Sequence, residues 1–303
     1  MAVRDNLTSG GYKAGWRMVK AMPKPVARSV FNQAADMAFL RQGKGTKRLE
    51  SNLRRVLGPQ VTEMEVRRVV RAALRSYSRY WMESFRLPSL SAKEVLAGVH
   101  TRGEDRFRSA LADGNGLICA LPHMANWDTA GAWAVLTGVS FTTVAERLEP
   151  TDLFDQFVAY RESLGMEVLA LGGGQGAPFE MLAQRLQEGR MLALLADRDL
   201  TASGIEVELF GATAKMPAGP AVLAVRTGAP LMPVTLSYDD AGVKGLHLHF
   251  HPIVENPNTG DHDEDVSVMT QALADQFEAG IRRSPQDWHM LQRLWLDDLE
   301  PRR

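Results

Sequence analysis

The stretch Leu117-Ile118-Cys119-Ala120-Leu121-Pro122-His123-Met124-Ala125-Asn126-Trp127-Asp128 decides the organisation of this chain. Its first five residues are apolar and predict a buried strand, and the polar segment that begins at Asn126 predicts the start of a helix. His123 and Asp128 therefore lie at one corner between a strand and a helix. A carboxylate placed there can hold an imidazole in one tautomer and stabilise it once it has taken a proton, as general-base catalysis requires.

A second His and Asp pair has the same spacing but a different setting. His100 and Asp105 lie in a polar segment in which no apolar strand precedes the His. Because a motif needs its structural context, we predict that His123 and Asp128 are catalytic and that the His100 pair is not. The alternative for His123 is a hydrogen-bonded structural residue at the end of a strand.

The composition is that of a soluble globular protein. The 303 residues are 45% hydrophobic and 23% charged. We expect neither a signal peptide nor a membrane span, because the N-terminus lacks a compact apolar core and prolines interrupt the apolar residues 216–236. Cys119 is the only cysteine, which excludes an internal disulfide and favours a cytoplasmic setting. We expect its side chain to pack in the strand rather than to react.

The near-neutral net charge hides a strong asymmetry along the chain. Residues 1–90 hold 18 basic and 6 acidic residues, a balance of +12, and residues 91–303 hold the remaining 17 basic and 30 acidic residues, a balance of −13. We therefore predict a basic helical segment over residues 1–90, which associates with a membrane and packs on an α/β core over residues 91–303. Such a basic segment suggests a polyanionic partner, either an anionic membrane or a nucleic acid.

Helical spacing favours the membrane. In the helix predicted over Tyr12–Met22, aromatic residues lie beside a basic stripe of Lys13, Arg17 and Lys20, a pattern suited to a lipid headgroup interface. The chain contains no recognition helix, zinc motif or RNA-binding module, so we do not expect a nucleic acid partner. A second helix combines an apolar stripe with arginines near its opposite face, for which a solvated face is an equal alternative. These arginines are Arg68, Arg71, Arg75 and Arg79.

From Ser91 onward, short apolar runs alternate with helical patterns. This alternation predicts an α/β fold with a central, mixed sheet flanked by helices. The predicted strands cover residues 117–121, 141–145, 167–171, 191–196, 205–210, 231–236 and 245–251. The main predicted helices cover residues 151–164, 178–188, 218–227 and 266–282. Ligands of such folds gather at the carboxyl ends of the strands, where His123 is predicted to lie.

Two other strand ends carry charged residues. Glu146 and Arg147 follow one apolar run, and Asp197, Arg198 and Asp199 follow another. Charges at the end of a buried sheet are costly unless they are paired or used, so we expect either a functional site or a network of ion pairs there.

Several blocks occur in an order that resembles the HxxxxD lysophospholipid acyltransferase superfamily. They are residues 123–128, 144–147, 159–165, 196–200, 216–220, 228–233 and 285–291. Within the superfamily, the chain is similar to the branch that contains the lipid A lauroyl/myristoyl acyltransferases and the actinobacterial phosphatidylinositol mannoside acyltransferases. The resemblance extends from about Tyr12 to Trp295. It departs from the family pattern at Met124, where a small residue is frequent, and at Asp197, where Glu is common.

The resemblance implies a glycerol-3-phosphate acyltransferase-like fold and an acyltransferase activity. Members nearest to this chain move a fatty acyl group, typically palmitoyl, from coenzyme A to the 6-hydroxyl of a mannose of a phosphatidylinositol mannoside. They act as peripheral proteins at the cytoplasmic face of the plasma membrane. Acyl-CoA would be a co-substrate, and we expect neither a cofactor nor a metal. Two alternatives stay open: a related acyltransferase with a lysophospholipid or lipid A-type acceptor, and a catalytically silent lipid-binding adaptor.

The implied roles centre on His123 as the general base. Asp128 would orient and stabilise its ring, and Asp197 would join them as a catalytic residue. The predicted substrate contacts are Glu146 for hydroxyl groups, Arg161 and Arg198 for anionic groups, and Ser203, for which a plain turn residue is the alternative. Candidate residues for an acyl groove are Met124, Trp127, Leu194, Phe210, Met216 and Met232. The oligomeric state is not predicted.

Overall fold

Strand β2 (Leu117–Leu121) lies in the middle of a seven-stranded sheet, and all five of its residues are buried. The computed structural model describes residues 18–146, 151–171, 176–199, 204–240 and 242–299. Within them the strand order of the sheet is β1-β9-β8-β2-β5-β3-β4. All neighbouring strands are parallel except β8 and β9, so the predicted mixed central sheet is confirmed.

Six more strands complete this sheet, and all of them except β1 have a counterpart among the predicted strands. They are β1 (Val99–Arg102), β3 (Phe141–Glu146), β4 (Glu167–Leu171), β5 (Met191–Leu195), β8 (Leu231–Asp240) and β9 (Val243–Phe250). Strands β2 and β5 pair in parallel with Leu121 opposite Leu195. Residues that follow these two strands at equal distances therefore meet at the same edge of the sheet.

Eleven labelled helices accompany the sheet in the described part of the chain. They are α1 (Lys24–Arg41), α2 (Lys44–Leu57), α3 (Glu63–Arg86), α4 (Ala92–Ala97), α5 (Glu104–Ala112), α6 (Trp127–Leu136), α7 (Thr151–Ser163), α8 (Gly176–Gln187), α9 (Gly219–Thr227), α10 (His262–Arg283) and α11 (Leu296–Leu299). Short 3-10 turns cover Leu87–Ser89 and Pro285–Asp287. Among these helices, none combines the length and the apolar character that a membrane span needs.

Two strand predictions needed correction. The strand predicted over residues 205–210 is β6 (Ile205–Leu209), which forms a separate antiparallel hairpin with β7 (Ala212–Met216) rather than joining the central sheet. His100 lies inside the edge strand β1, which is not among the predicted strands. The reason is that an edge strand of four residues is only partly buried, so polar residues can occupy it and the apolar signal is lost.

The basic N-terminal region builds its own apolar contacts. Helices α1, α2 and α3 share a cluster of buried residues that includes Phe39, Leu49, Leu53, Val66 and Val70. Helix α3 begins with a capping box in which Thr62 and Glu65 bond reciprocally, and its carboxyl half contacts the 3-10 turn Pro285–Asp287. The division at residue 90 stays a prediction. Of the predicted N-terminal basic stripe, Lys13 and Arg17 lie outside the described residues, and Lys20 is exposed.

Candidate active site

The loop between β2 and α6 positions His123. Ala125 has a φ of 47°, a left-handed conformation that turns the chain from the strand into the helix. A C-terminal segment fixes this turn through the backbone: the Ala125 N–H donates to the Asp287 carbonyl at 2.8 Å, and the His289 N–H donates to the His123 carbonyl at 2.8 Å. The predicted helix start is confirmed, since Asn126 caps α6 with its side chain.

Asp197 holds the His123 ring. Its Oδ1 lies 2.5 Å from His123 Nδ1, while its Oδ2 accepts from the His123 N–H at 2.9 Å and from Trp288 Nε1 at 2.8 Å. The Asp197 side chain is 1% exposed and that of His123 is 28% exposed. A carboxylate on Nδ1 selects the tautomer that carries its proton there, which leaves the Nε2 lone pair as the base.

The electrostatic setting keeps Asp197 ionised. Burial favours the neutral acid, but the charge and hydrogen bonds of His123, together with the Trp288 indole, outweigh it and hold the pKa of Asp197 below its ordinary value. An ionised carboxylate at Nδ1 can stabilise the imidazolium that forms when Nε2 takes a proton. The pair therefore has the geometry and charge of a general base with its orienting group.

Asp128 has different partners from those predicted. Its Oδ1 accepts from Arg161 Nε at 2.8 Å, and its Oδ2 accepts from the Tyr80 hydroxyl at 3.1 Å. The side chains of Asp128 and His123 share no hydrogen bond in the described structure. The expectation that Asp128 orients the His123 ring is thus corrected, because Asp197 occupies Nδ1. Any catalytic role of Asp128 stays a prediction.

The Asp128 cluster is buried. Burial alone would lower the pKa of Arg161, but the nearby Asp128 carboxylate reverses this, and the net pKa lies above its ordinary value. Burial, followed by the charge of Asp128, raises the pKa of Tyr80 well above its usual range, so its hydroxyl stays a donor. Arg161 bonds Asp128 through Nε, and its predicted contact with an anionic substrate group stays a prediction.

The other predicted site residues are placed to different extents. Arg198 is half-buried and directly follows Asp197. Glu146 ends strand β3, but its side chain lies outside the described residues, as does Ser203 altogether. The roles of all three stay predictions. Cys119 is buried with its Sγ 3.7 Å from Met191 Sδ, and burial raises the pKa of its thiol, consistent with a packing role.

A buried polar network behind His123 was missed from the sequence. The Ser76 hydroxyl donates to Asp287 Oδ1 at 2.7 Å and lies 3.0 Å from His289 Nε2. Because the hydroxyl proton is used by Asp287, the Ser76 oxygen must accept from His289 Nε2–H. Burial, followed by the charge of His123, lowers the pKa of His289 to about 3, so this ring is neutral. Its Nδ1 is therefore a bare acceptor.

One signal could have identified part of this network. Trp288 and His289 lie in the C-terminal block at residues 285–291, which contributes to the family resemblance. The predicted site residues do not include either of them. Trp288 is fully buried, and a buried indole N–H generally requires an acceptor. Nothing in the sequence indicates that this acceptor is Asp197, because the two residues are 91 positions apart.

An apolar cavity of about 90 Å³ lies between α6 and the central sheet, next to His123. Trp127, Asp128 and Arg161 line its polar part, and the His123 and Trp127 rings meet edge to face with centroids 5.5 Å apart. The rest is apolar and includes Phe107, Trp133, Phe141, Met166, Leu195, Leu248 and Phe250. Of the six residues predicted to line an acyl groove, only Trp127 lines this cavity. The other five are buried core residues elsewhere.

Comparison with known proteins places the chain in a family. A model of the bacterial lipid A biosynthesis acyltransferases matches residues 9–297. The chain is 46% identical over 297 residues to a phosphatidylinositol mannoside acyltransferase of Mycolicibacterium smegmatis, covering 98% of this chain and 94% of the relative. It is 43% identical over 305 residues to the Mycobacterium tuberculosis protein of the same name, covering 100% and 93% of the two chains. The chain therefore belongs to the bacterial lipid A biosynthesis acyltransferase family and is an acyltransferase.

Proposed function

We propose that the protein transfers a long-chain fatty acyl group from acyl-CoA to the 6-hydroxyl of a mannose on a phosphatidylinositol mannoside. The proposed acyl group is palmitoyl. The observation that carries the proposal is the His123 and Asp197 pair beside an apolar cavity. The acceptor is inferred from the two mycobacterial relatives, which carry the name phosphatidylinositol mannoside acyltransferase and match nearly the full chain.

The chemistry follows from the tautomer of His123. Nε2 takes the proton of the sugar hydroxyl as its oxygen attacks the thioester carbonyl, and Asp197 stabilises the imidazolium. The tetrahedral intermediate then expels the coenzyme A thiolate, to which the imidazolium returns the proton. The products are an acyl ester and free coenzyme A. A thiolate leaves readily, and the sequence contains no Gly-x-Ser-x-Gly motif, so direct transfer needs no acyl-enzyme.

The cavity next to α6 supplies a place for the acyl chain. Its walls are aromatic and aliphatic, and its polar part lies at Trp127 and Asp128, next to the catalytic His. Each buried methylene contributes roughly 0.8 kcal/mol, so the part of the acyl chain that enters this cavity would add to the affinity through burial. The reactive carbonyl would then lie at the polar end. In this proposal, the substrate contacts are Glu146, Arg198 and Ser203, which bind the acceptor and the anionic groups of the substrates.

The same proposal places the protein peripherally at the cytoplasmic face of the plasma membrane, on an anionic surface. Beyond the N-terminal basic stripe, α1 exposes Val26, Val30 and Leu40 near basic residues, a composition suited to a headgroup interface. The variant Lys13→Glu/Arg17→Glu/Lys20→Glu should bind anionic vesicles more weakly yet turn over a short-chain thioester normally. Equal binding of the wild-type protein to neutral and anionic vesicles at low salt would contradict the charge argument.

Release of coenzyme A thiol with a panel of acceptors tests the function. Wild-type protein is mixed with palmitoyl-CoA and a phosphatidylinositol mannoside, a lysophospholipid or a lipid A precursor, and the acylated product is mapped by mass spectrometry and NMR. We expect the fastest release with the mannoside, with the ester on the mannose 6-hydroxyl. Faster release with either other acceptor, or an ester at another position, would overturn the assignment.

A further inference from the structure

Arg67, Arg68, Arg71 and Arg75 of helix α3 are exposed, but they do not face a flat surface. They line a groove of about 680 Å³ between α1 and α3, whose far wall is formed by the carboxyl end of β8 and by the 3-10 turn Pro285–Asp287. The lining includes six arginines: Arg28, Arg67, Arg68, Arg71, Arg75 and Arg79. The basic stripe seen in the sequence thus forms one side of this groove.

Three of these six arginines are paired with carboxylates within the protein. Arg71 and Arg75 both bind Asp36, at 2.7 and 2.6 Å, and their hydrogen bonds hold the pKa of Asp36 well below its usual range. Arg79 pairs with Glu83 at 2.7 Å. These contacts fix three guanidinium groups in the groove wall and use most of their charge.

The other half have no such partner. Among the described residues, no carboxylate lies within 4 Å of the guanidinium groups of Arg28, Arg67 or Arg68. The lining carboxylates are Asp239 and Asp287, and Asp287 is already bonded to Ser76 and to the Tyr238 N–H. Within the described part of the chain, the groove therefore keeps an excess of positive charge.

The mixture of groups in the groove suits a particular ligand chemistry. Guanidinium groups bind phosphate oxygens through pairs of charge-assisted hydrogen bonds. Asn32 and Gln286 add amide donors and acceptors, which match hydroxyl groups or a base, and Phe31 and Met82 add apolar surface. A phosphate ester with an organic part satisfies all three features better than an inorganic ion does.

The groove adjoins the catalytic pair through the chain itself. Asp287 lines the groove, Trp288 binds Asp197, and the His289 N–H binds the His123 carbonyl. Asp287 lies at the end of the groove, and His289, which binds the His123 backbone, follows it by only two residues. Successive Cα atoms are about 3.8 Å apart, so the two positions are close in space. A ligand in the groove is therefore close enough to be part of a substrate of the same site.

The geometry points to the groove as the site that binds the phosphate-bearing end of a substrate, an inference that rests on the proposed function. Two substrate ends share this chemistry. One is the nucleotide end of coenzyme A, with its 3′-phosphate and diphosphate, and the other is the phosphoinositol end of the acceptor. In either case the groove would anchor the polar end while the reacting group lies at His123.

Calorimetry with soluble fragments tests the site without turnover. Wild-type protein is titrated at low salt with adenosine 3′,5′-bisphosphate and, separately, with glycerophosphoinositol, and we expect one of them to bind. Arg28→Gln/Arg68→Gln should weaken that binding at least tenfold, because charge-assisted contacts are lost. The matched control Lys47→Gln/Arg48→Gln removes the same charge from α2 outside the groove lining and should bind like the wild type.

Kinetics on the same variants distinguish the two sources. If the bisphosphate binds, Arg28→Gln/Arg68→Gln should raise the KM for acyl-CoA with kcat nearly unchanged. If glycerophosphoinositol binds, the KM for the acceptor should rise instead. Each pattern supports the groove and names its substrate.

The groove inference fails if neither fragment binds the wild-type protein, or if the groove variant and the α2 control lose affinity equally. The second result would mean that only general charge attracts the fragments. The proposed function fails separately, when wild-type protein releases no coenzyme A with any acceptor whatever the calorimetry shows.

Discussion

Two buried aspartates lie near His123, and they differ in what they bind. Asp128 follows His123 by five residues, yet its carboxylate is bound by Arg161 and Tyr80. Asp197 comes 74 residues later and holds the His123 ring. The pairing register of the strands, rather than the spacing along the chain, therefore selects the partner of the His123 ring.

The register explains the outcome in detail. Leu121 of β2 pairs with Leu195 of β5, and His123 and Asp197 each follow two residues later. Parallel neighbours bring equivalent positions together, so the two side chains meet at the sheet edge. Asp128 instead lies in the first turn of α6, where its carboxylate contacts side chains from α3 and α7.

The largest expected effect separates the two aspartates by activity. Asp197→Asn should lower kcat by roughly a thousandfold, because it removes the charge that stabilises the imidazolium and the acceptor that fixes the tautomer. The melting temperature should change little, since the amide oxygen can still accept a hydrogen bond. Coenzyme A release and thermal unfolding, measured on the same preparation, check both values.

Asp197→Glu is the matched variant for this prediction. It keeps the charge and restores the residue common at this position in the resembling family, so it should retain substantial activity. If Asp197→Asn lost activity only in proportion to the unfolded fraction, Asp197 would be a structural ion-pair partner. Its contact with His123 would then not distinguish it from Asp128 in function.

The second prediction separates the aspartates by stability. Asp128→Asn should lower the free energy of unfolding by about 4 kcal/mol, because it leaves the buried Arg161 charge without its partner. The kcat of the folded fraction should fall less than in Asp197→Asn. Denaturant unfolding measures the free energy of unfolding, and kinetics normalised to the concentration of folded protein measure kcat.

The double variant Asp128→Asn/Arg161→Met serves as the control, since it removes the unpaired charge as well. It should recover part of the lost stability. A double variant no more stable than Asp128→Asn would show that the ion pair is not the source of the effect.

The third prediction concerns the pH dependence of the free energy of unfolding, which the buried His289 ring should affect. The folded pKa of His289 is about 3, against an ordinary value of 6.5, so the unfolded chain takes up this proton first as the pH falls. Stability should therefore be complete above pH 6.5 and decline towards pH 3, by on the order of 3 kcal/mol at pH 4. His251, with a pKa of about 4, adds a loss of the same sign.

Urea unfolding of the wild type and of His289→Gln across pH 4 to 7 checks this linkage. The variant should show a shallower decline, and His262→Gln, at an exposed position in the first turn of α10, should follow the wild type. Parallel curves for the wild type and His289→Gln would contradict the burial argument.

The smallest expected effect concerns the other His and Asp pair with the same spacing. His100 lies in edge strand β1, stacked on His247 with centroids 4.8 Å apart, and Asp105 is exposed in α5. His100→Ala and Asp105→Asn should each leave kcat within about twofold and stability within about 0.5 kcal/mol of the wild type. A large loss of activity in either variant would show that spacing matters more than register.

The sequence predicted the elements of the fold better than their contacts. Strands β2 and β4 were predicted with their observed bounds, because each is a short and mainly apolar run. Edge strand β1 was missed, since its partly exposed residues leave no apolar run. Hairpin strand β6 was assigned to the wrong sheet, because periodicity does not specify a partner.

The site shows the same limit. The sequence identified His123 and Asp128 from their spacing at a strand-to-helix corner, and the family resemblance added Asp197, which follows a buried strand. It did not predict which carboxylate binds the ring, since that depends on a register between strands about 70 residues apart. The sequence also did not predict the contacts of Trp288 and His289, because tertiary packing joins residues that are 91 and 213 positions apart.

The most direct test of the central claim is the state of the His123 ring in solution. In ¹⁵N-labelled protein, we expect a protected, strongly hydrogen-bonded Nδ1–H resonance that is assigned to His123 by its absence in His123→Gln. The resonance should disappear or shift strongly in Asp197→Asn and persist in Asp128→Asn. The opposite pattern, loss in Asp128→Asn with persistence in Asp197→Asn, would contradict the pairing of His123 with Asp197.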